Sequence, residues 1–409
     1  MRRRVVITGL GVVSPVGLGI QPTFDALVDK RCGIRRIAAF DPARFDAQIA
    51  GEVAEFKVAD FVPKNYRKFT KVMARDIELA VIAAYLAVRD AGLKTKCLID
   101  RGEADGATAP NIDVTRFGAN IGAGLICADL TELAGALASA VEDPSLRESR
   151  TFSLTRWGRE GMNNLTPLWL LKFLPNMLAC HVTIVHDCQA PSNTLTCGEA
   201  SSHLAIGEAF RTISRGAADI CICGGAESKL NPMGLIRQSL LGRLNGDAND
   251  APHRACRPFD KARRGTVISE GGGLIILEEL STPSSRASMP SWPASGASQN
   301  AADWGRPQTD GRAMARHRPC ARDASAAPEQ VDLVNAAGVG TADDDLGRGR
   351  RHRACRPRTG RQGLVLATKG AIGNNAAGSA IDLAITTLLA RGKAVAPRRT
   401  PTTSTWPAD

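Results

Sequence analysis

The sequence predicts an α/β protein in which helices cover the faces of a sheet. Short apolar segments that end in glycine alternate with longer segments whose apolar residues recur every three to four positions. This alternation is the pattern of strands connected by helices. The chain has 409 residues, enough for one large core or two domains. No run of about 18 apolar residues occurs, so we expect no membrane-spanning helix.

The individual elements follow in chain order. The first strand is predicted over residues 3–11, where an apolar run leads into two glycines. A long helix is predicted over residues 75–93, because its apolar residues share one face and Gly92 stands near its end, where glycine is favoured. Later strands are predicted at residues 114–125, at residues 218–228, and as a pair around the glycines at 271–273.

Two motifs that bind cofactors or metals are only partly present. Gly9 and Gly11 resemble a dinucleotide-binding turn, but the third glycine and the acidic residue that binds a ribose are missing. Two cysteines and two histidines within residues 180–188 supply zinc-binding side chains, but their spacing matches no common zinc motif. We therefore predict no cofactor and no metal.

The formal net charge of +11 raises the question of a nucleic-acid partner. The excess is concentrated in the arginines of residues 347–361, and no aromatic residue interleaves with them. Without aromatic rings a stacking surface for single strands is missing, so we predict no nucleic-acid partner. An electrostatic patch for phosphates stays as the alternative. Eleven cysteines without regular spacing favour reduced thiols, and we expect a cytoplasmic protein.

The regular alternation stops after Leu280. Residues 281–326 are rich in serine, proline and alanine, and residues 346–362 are rich in arginine. Solvated linkers are one interpretation of these segments. Linkers of this length are unusual inside a compact α/β domain, so the other interpretation is out-of-frame translation of a GC-rich gene.

Five segments carry a combination of motifs in a fixed order: VVITGLGVVSPVG (5–17), CGEASSHLAIGEAFRTISRGAADICICGGAES (197–228), RPFDKARRGTVISEGGGLIILEE (257–279), VNAAGVGT (334–341) and ATKGAIGNNAAG (367–378). Together they resemble the β-ketoacyl synthases, the condensing enzymes of fatty-acid and polyketide synthesis. The second segment is similar to the helix that carries the family's nucleophile. The last two are similar to the segments that carry its active-site histidines.

The resemblance implies a thiolase-like fold, in which two similar α/β halves form five layers in the order α-β-α-β-α. It assigns the N-terminal β-ketoacyl synthase half to residues 1–260 and the C-terminal half to residues 261–409. The C-terminal half is expected to be irregular at 281–326 and 346–362. It is also expected to be truncated, because the family continues past this point with a strand pair and a gating loop.

The resemblance also implies a reaction, the decarboxylative Claisen condensation of an acyl and a malonyl thioester. A cysteine at a helix N-terminus takes the acyl group from an acyl carrier protein, and the helix end favours its thiolate. Two histidines assist decarboxylation of the malonyl thioester and stabilise the enolate oxygen, and a nearby lysine supports the electrostatics.

Carried over residue by residue, the family's cysteine position falls on Glu199. The first histidine position falls on Ala337 and the second on Asn374, while the lysine is present as Lys369. The Cys-His-His set is therefore replaced, and only the lysine is retained. Cys197, two residues before Glu199, is the alternative nucleophile.

Each of these residues also has a structural interpretation. Residues 196–199 have the form of a capping box, so Glu199 can satisfy backbone amides, and Cys197 can be a small buried residue. Lys369 can pair with an acid such as Glu270 instead of serving the site. Asn374 can donate a hydrogen bond to an oxyanion but cannot titrate. His203, on the helix face of Glu199, is interpreted as a solvated or core histidine.

The function predicted from these residues is that of a condensing-enzyme relative that does not condense, similar to the chain-length factors of polyketide systems. Its partners are then acyl carrier protein and acyl or malonyl thioesters, with a homodimer or a heterodimer with an active synthase. A negative charge at Glu199 disfavours decarboxylation because it repels the malonyl carboxylate. The alternatives are an active acyltransferase that uses Cys197 and a basic, non-enzymatic binding protein.

Overall fold

The computed structural model describes residues 3–141, 151–281, 290–297, 324–327, 330–345 and 364–390. Most of the segment 281–326, all of 346–362 and the end of the chain lie outside the described residues. The predictions of irregular structure and truncation there therefore stay predictions.

The strands alternate with helices as predicted. The strands are β1 Val5–Ser14, β2 Gly17–Leu18, β3 Ile34–Arg36, β4 Ile49–Gly51, β5 Phe117–Ala123, β6 Asn193–Leu195, β7 Ile220–Ser228, β8 Glu270–Glu279, β9 Leu333–Asn335 and β10 Leu364–Leu366. Six of them form one sheet in the order β2-β1-β8-β7-β5-β6. Within it β5 is parallel to β6 and β7, whereas β8 is antiparallel to both of its neighbours.

Helices cover both faces of this sheet, and others lie around it. They are α1 Ile20–Val28, α2 Arg75–Ala91, α3 Lys96–Arg101, α4 Leu130–Ser139, α5 Leu154–Arg159, α6 Met177–His186, α7 Ser201–Ser214, α8 Pro232–Leu240, α9 Lys369–Ile372 and α10 Ala380–Ala390. The predicted long helix is confirmed as α2, and Gly92 caps its end in the left-handed conformation, with φ of 71°. None of the helices in the described part of the chain is long and apolar enough to span a bilayer.

Two apolar cores flank the large sheet. One core packs α2 and α6 against one face, and the other packs α1, α7 and α10 against the opposite face. Beyond α10 lies a second sheet, which in the described residues consists of the parallel strands β9 and β10. Asn335 of β9 donates to the backbone oxygen of Asp382 in α10 at 2.7 Å, so this sheet packs on the buried helix layer.

Glycines inside the strands explain two differences from the sequence-based predictions. The glycines expected to end the first strand lie within β1, where an added Cβ at Gly11 would come within 1.9 Å of the Ala83 oxygen in α2. The expected strand pair around residues 271–273 is one strand, β8. An added Cβ at Gly273 would lie 2.4 Å from the Ile381 nitrogen in α10. These glycines let helices approach the sheet closely rather than forming turns.

Candidate active site

The candidate site lies at the N-terminus of α7, the helix that packs on β5 and β7 of the large sheet. A 3₁₀ turn over Gly198–Ala200 precedes α7, and Gly198 adopts φ of 55°, which favours glycine. An added Cβ at Gly122 of β5 would lie 2.4 Å from the Ser202 nitrogen, so the helix begins directly against the sheet. The backbone thereby fixes the position of Glu199.

The Glu199 carboxylate accepts hydrogen bonds from two other parts of the chain. Its Oε1 accepts from Nη2 of Arg243 at 2.8 Å and from Nδ2 of Asn374 at 2.9 Å. Cys197, not Thr196, immediately precedes the turn, and its side chain does not cap it. The Glu199 carboxylate is directed to these two side-chain donors, and the capping-box interpretation of residues 196–199 stays a prediction.

Arg243 connects Glu199 to a second acid. The same Nη2 atom lies 3.0 Å from Oδ2 of Asp344, which also accepts from the Thr341 hydroxyl at 2.8 Å. Burial alone would lower the pKa of Arg243, but the two carboxylates outweigh it and raise the pKa above its ordinary value. The guanidinium therefore stays charged.

Asn374 is held rigidly where the resemblance expects a histidine. Its side chain is buried, and its backbone nitrogen donates to Val267 at 2.8 Å. Its amide oxygen accepts from the backbone nitrogen of Ala376 at 3.2 Å, which leaves the amide nitrogen directed at Glu199. The amide can donate to an anion in this position but cannot act as an acid or base at neutral pH.

Lys369 is fully buried at the start of α9. Its Nζ donates to Oδ2 of Asp382 at 2.7 Å, and the Thr368 hydroxyl donates to the other carboxylate oxygen. The suggested pairing with Glu270 is wrong, because Glu270 instead accepts two hydrogen bonds from Arg75, at 2.8 and 3.0 Å. The lysine therefore anchors α9 to α10 through a buried ion pair.

The alternative nucleophile lies apart from these contacts. Cys197 is exposed rather than buried, and its backbone nitrogen donates to the Ser201 hydroxyl at 2.8 Å. His203 is exposed as well, with Nδ1 3.4 Å from the Ser379 hydroxyl. Ser379 also donates to the Glu199 backbone oxygen at 3.1 Å, so the chain before α10 contacts the turn before α7.

Ala337 follows β9 on a half-buried loop and offers only a methyl group at the first histidine position.

The sequence did not predict the partners that surround the site, namely Arg243, Asp344 and Asp382. The run of three aspartates at 343–345 is the one feature that could have drawn attention to Asp344. Arg243 lies 44 residues from Glu199, and the sequence around it gives no signal.

Comparisons with known proteins agree with this architecture. The N-terminal domain model of β-ketoacyl synthases matches residues 2–282, and the C-terminal domain model matches residues 293–402. A putative polyketide β-ketoacyl synthase 1 of Streptomyces halstedii is 32% identical over 84% of this chain and 75% of its own length. The mitochondrial 3-oxoacyl-[acyl-carrier-protein] synthase of Arabidopsis thaliana is 30% identical, over 97% of this chain and 83% of its own.

Solved structures share the fold at lower identity. A β-ketoacyl synthase from Burkholderia phymatum superposes with a TM-score of 0.76 at 23% identity, covering 95% of this chain and 86% of its own. The ishigamide ketosynthase/chain length factor superposes with a TM-score of 0.69 at 24% identity, covering 94% and 85%. A third match, with a TM-score of 0.74 at 24% identity covering 95% and 86%, is a type II ketosynthase in complex with its acyl-carrier protein.

The expected thiolase-like α/β fold is thus confirmed, and so is the resemblance from which it was predicted. The chain belongs to the β-ketoacyl synthase family, which includes the 3-oxoacyl-[acyl-carrier-protein] synthases of fatty-acid and polyketide synthesis.

Proposed function

We propose that this protein is a non-condensing member of its family that acts as a chain-length-factor-like partner of an active synthase. The observation that carries the proposal is the Glu199 carboxylate at the tip of α7, held by Arg243 and Asn374. A carboxylate cannot carry an acyl group through sulfur. Neither Ala337 nor Asn374 can supply the proton chemistry of a histidine.

The charges around Glu199 also disfavour decarboxylation of a malonyl thioester. Arg243 stands between two carboxylates, those of Glu199 and Asp344, so two formal negative charges face one positive charge. A second carboxylate brought to this point meets a negative field in a partly desolvated site, where charge interactions are stronger than in water.

The proposed partners are an acyl carrier protein that bears the chain and a synthase, in a heterodimer or a homodimer, in the cytoplasm. One feature supports the dimer. Strand β6 lies at the edge of the six-stranded sheet, and its residues are exposed or half-exposed. Unpaired backbone groups on an edge strand are suited to pairing with another chain.

Two alternatives come from specific features. The exposed thiol of Cys197 lies one short turn before α7 and favours an active acyltransferase that uses this cysteine. The net charge of +11 favours a basic, non-enzymatic binding protein, although the arginine-rich residues 347–361 lie outside the described residues. The first alternative requires acylation of Cys197, and the second requires salt-sensitive binding to nucleic acid.

The test uses the purified full chain with acyl-loaded and malonyl-loaded acyl carrier protein. We expect no condensation product, no CO₂ release and no acyl adduct on Cys197, together with binding to an active synthase in sedimentation or mass photometry. Cys197→Ser should behave as the unchanged protein does, and Cys180→Ser, at a half-buried site, is the matched control. Condensation that Cys197→Ser abolishes would overturn the proposal.

A further inference from the structure

Two donors at the tip of α7 converge on one carboxylate oxygen. Arg243 approaches Oε1 of Glu199 at 2.8 Å and Asn374 approaches the same atom at 2.9 Å. The guanidinium donates a charge-assisted hydrogen bond to this oxygen, and the amide donates a second hydrogen bond. Two such donors directed at one point are suited to binding a carboxylate.

Both donors are held in place by contacts that do not involve Glu199. Arg243 pairs with Asp344 at 3.0 Å, and its backbone oxygen accepts from Thr266 at 2.7 Å. Asn374 is fixed by its bonds to Val267 and Ala376. The two donors therefore keep their positions when the Glu199 side chain is removed.

The oxygen between these donors is also reachable from solvent. The Glu199 side chain retains 19% of its exposure and the Arg243 side chain retains 25%, although Asn374 is buried. A small anion can therefore reach the position that Oε1 occupies without rearrangement of the sheet or of α7.

We propose that Arg243 and Asn374 form a carboxylate-binding site that Glu199 occupies from within the same chain, as an intramolecular plug. The ligand class is a small carboxylate, of which the free carboxylate of a malonyl thioester is one example. This inference rests on the proposed function, because it requires that Glu199 fills the site and carries no acyl group.

The first experiment measures binding of sodium malonate to the full chain by calorimetry. Glu199→Ala removes the plug, and we expect it to bind malonate at least about tenfold more tightly than the unchanged protein. Glu199→Ala combined with Arg243→Ala should lose that gain. Glu208→Ala is the matched control, because Glu208 lies on the same helix and pairs with Arg215 at 3.4 Å. Equal malonate binding by Glu199→Ala and Glu208→Ala would overturn the proposal.

The second experiment uses Glu199→Gln, which preserves the shape of the side chain and keeps the test available if the alanine variant does not fold. Arginine modification by phenylglyoxal is mapped by mass spectrometry. Arg243 should react several-fold faster in Glu199→Gln than in the unchanged protein, and malonate should protect it, since a neutral amide binds a guanidinium less strongly. Arg257, paired with Asp260 at 2.8 Å and 30% exposed, is the internal control. Equal Arg243 labelling in both proteins would contradict the plug.

The experiments distinguish failure of the carboxylate site from failure of the partner role. If Glu199→Ala does not bind malonate more tightly than the unchanged protein, binding to an active synthase is unaffected. Detection of an acylated Cys197 would remove the partner role, while the calorimetric result for Glu199→Ala stands independently.

Discussion

Nζ of Lys369 lies 2.7 Å from Oδ2 of Asp382, and both side chains are less than a tenth exposed. A buried charge that loses its partner is strongly destabilising, because its desolvation is no longer compensated. We expect Lys369→Met or Asp382→Asn to lower the free energy of unfolding by about 3–5 kcal/mol. The double variant Lys369→Met with Asp382→Leu should lose less than either single variant, and urea denaturation measures all three.

The control for this prediction is a solvent-exposed ion pair. Lys96 and Asp100 lie 2.9 Å apart on α3, with side-chain exposures of 49% and 28%. Lys96→Ala should change stability by less than about 1 kcal/mol. A comparable loss in Lys96→Ala and Lys369→Met would contradict the role assigned to burial.

The buried histidines of α6 predict sensitivity to acid. Nδ1 of His186 forms a hydrogen bond with the Thr95 hydroxyl, 2.9 Å away. Burial of the imidazole lowers the pKa of His186 from 6.5 to about 3. Burial likewise lowers the pKa of His181 to about 4. As the pH falls, these histidines therefore take up protons in the unfolded chain before they do so in the folded protein. Their contribution to the free energy of unfolding is fully present above about pH 6.5 and is lost as the pH falls toward the folded-state pKa values.

Urea denaturation between pH 7 and pH 4 tests this sign. We expect His186→Gln to remove a slope of up to about 1.4 kcal/mol per pH unit relative to the unchanged protein. Parallel curves for the unchanged protein and His186→Gln would show that this histidine does not take part.

Close packing of α10 on β8 predicts a position-specific effect of a single methyl group. Gly273→Ala places a Cβ 2.4 Å from the Ile381 backbone nitrogen, which can give way only by a shift of the helix. We expect a loss of about 1–3 kcal/mol in stability. Gly135→Ala in α4, where nothing lies within 4 Å, should instead be neutral or stabilising by up to about 1 kcal/mol.

Thermal unfolding compares the two glycine variants. We expect the unfolding temperature to fall in Gly273→Ala and to rise or stay unchanged in Gly135→Ala. A larger loss for Gly135→Ala would contradict the packing argument.

The cysteines predict a sharp order of alkylation in the native state. Cys197 is exposed, whereas Cys97, Cys221 and Cys256 are buried, and burial raises the pKa of each of these three thiols to about 12. Thiolates are the reactive species, so among the cysteines in the described part of the chain iodoacetamide should modify Cys197 first. Peptide mass spectrometry checks the order, and modification of the buried three should need denaturant.

The sequence was sufficient to predict elements whose signal is local. Helix α2 has one apolar face and a glycine at its end, and β7 has a continuous apolar run, so both could be placed before the structure was known. The glycines of β8 were misread because glycine marks turns and close packing alike. Only the position of α10 distinguishes the two.

The residues of the candidate site also differ in whether the sequence could identify them. Glu199, Asn374 and Lys369 could be selected in advance because they stand within recognisable segments. The partners Arg243 and Asp382 could not, because a guanidinium or carboxylate finds its counter-charge through the tertiary fold, over 44 residues in the case of Arg243. The carboxylate expected to pair with Lys369 was chosen from sequence alone and proved to belong to Arg75.

The bridge from Glu199 through Arg243 to Asp344 has a consequence for redesign of the site. Glu199→Cys alone would place a thiol at the tip of α7 and leave the guanidinium facing Asp344 alone, with a methyl at 337 and an amide at 374 still in place. Neither of those two side chains can transfer a proton as a histidine does. An engineered Cys-His-His set at this site therefore requires replacements at all three positions.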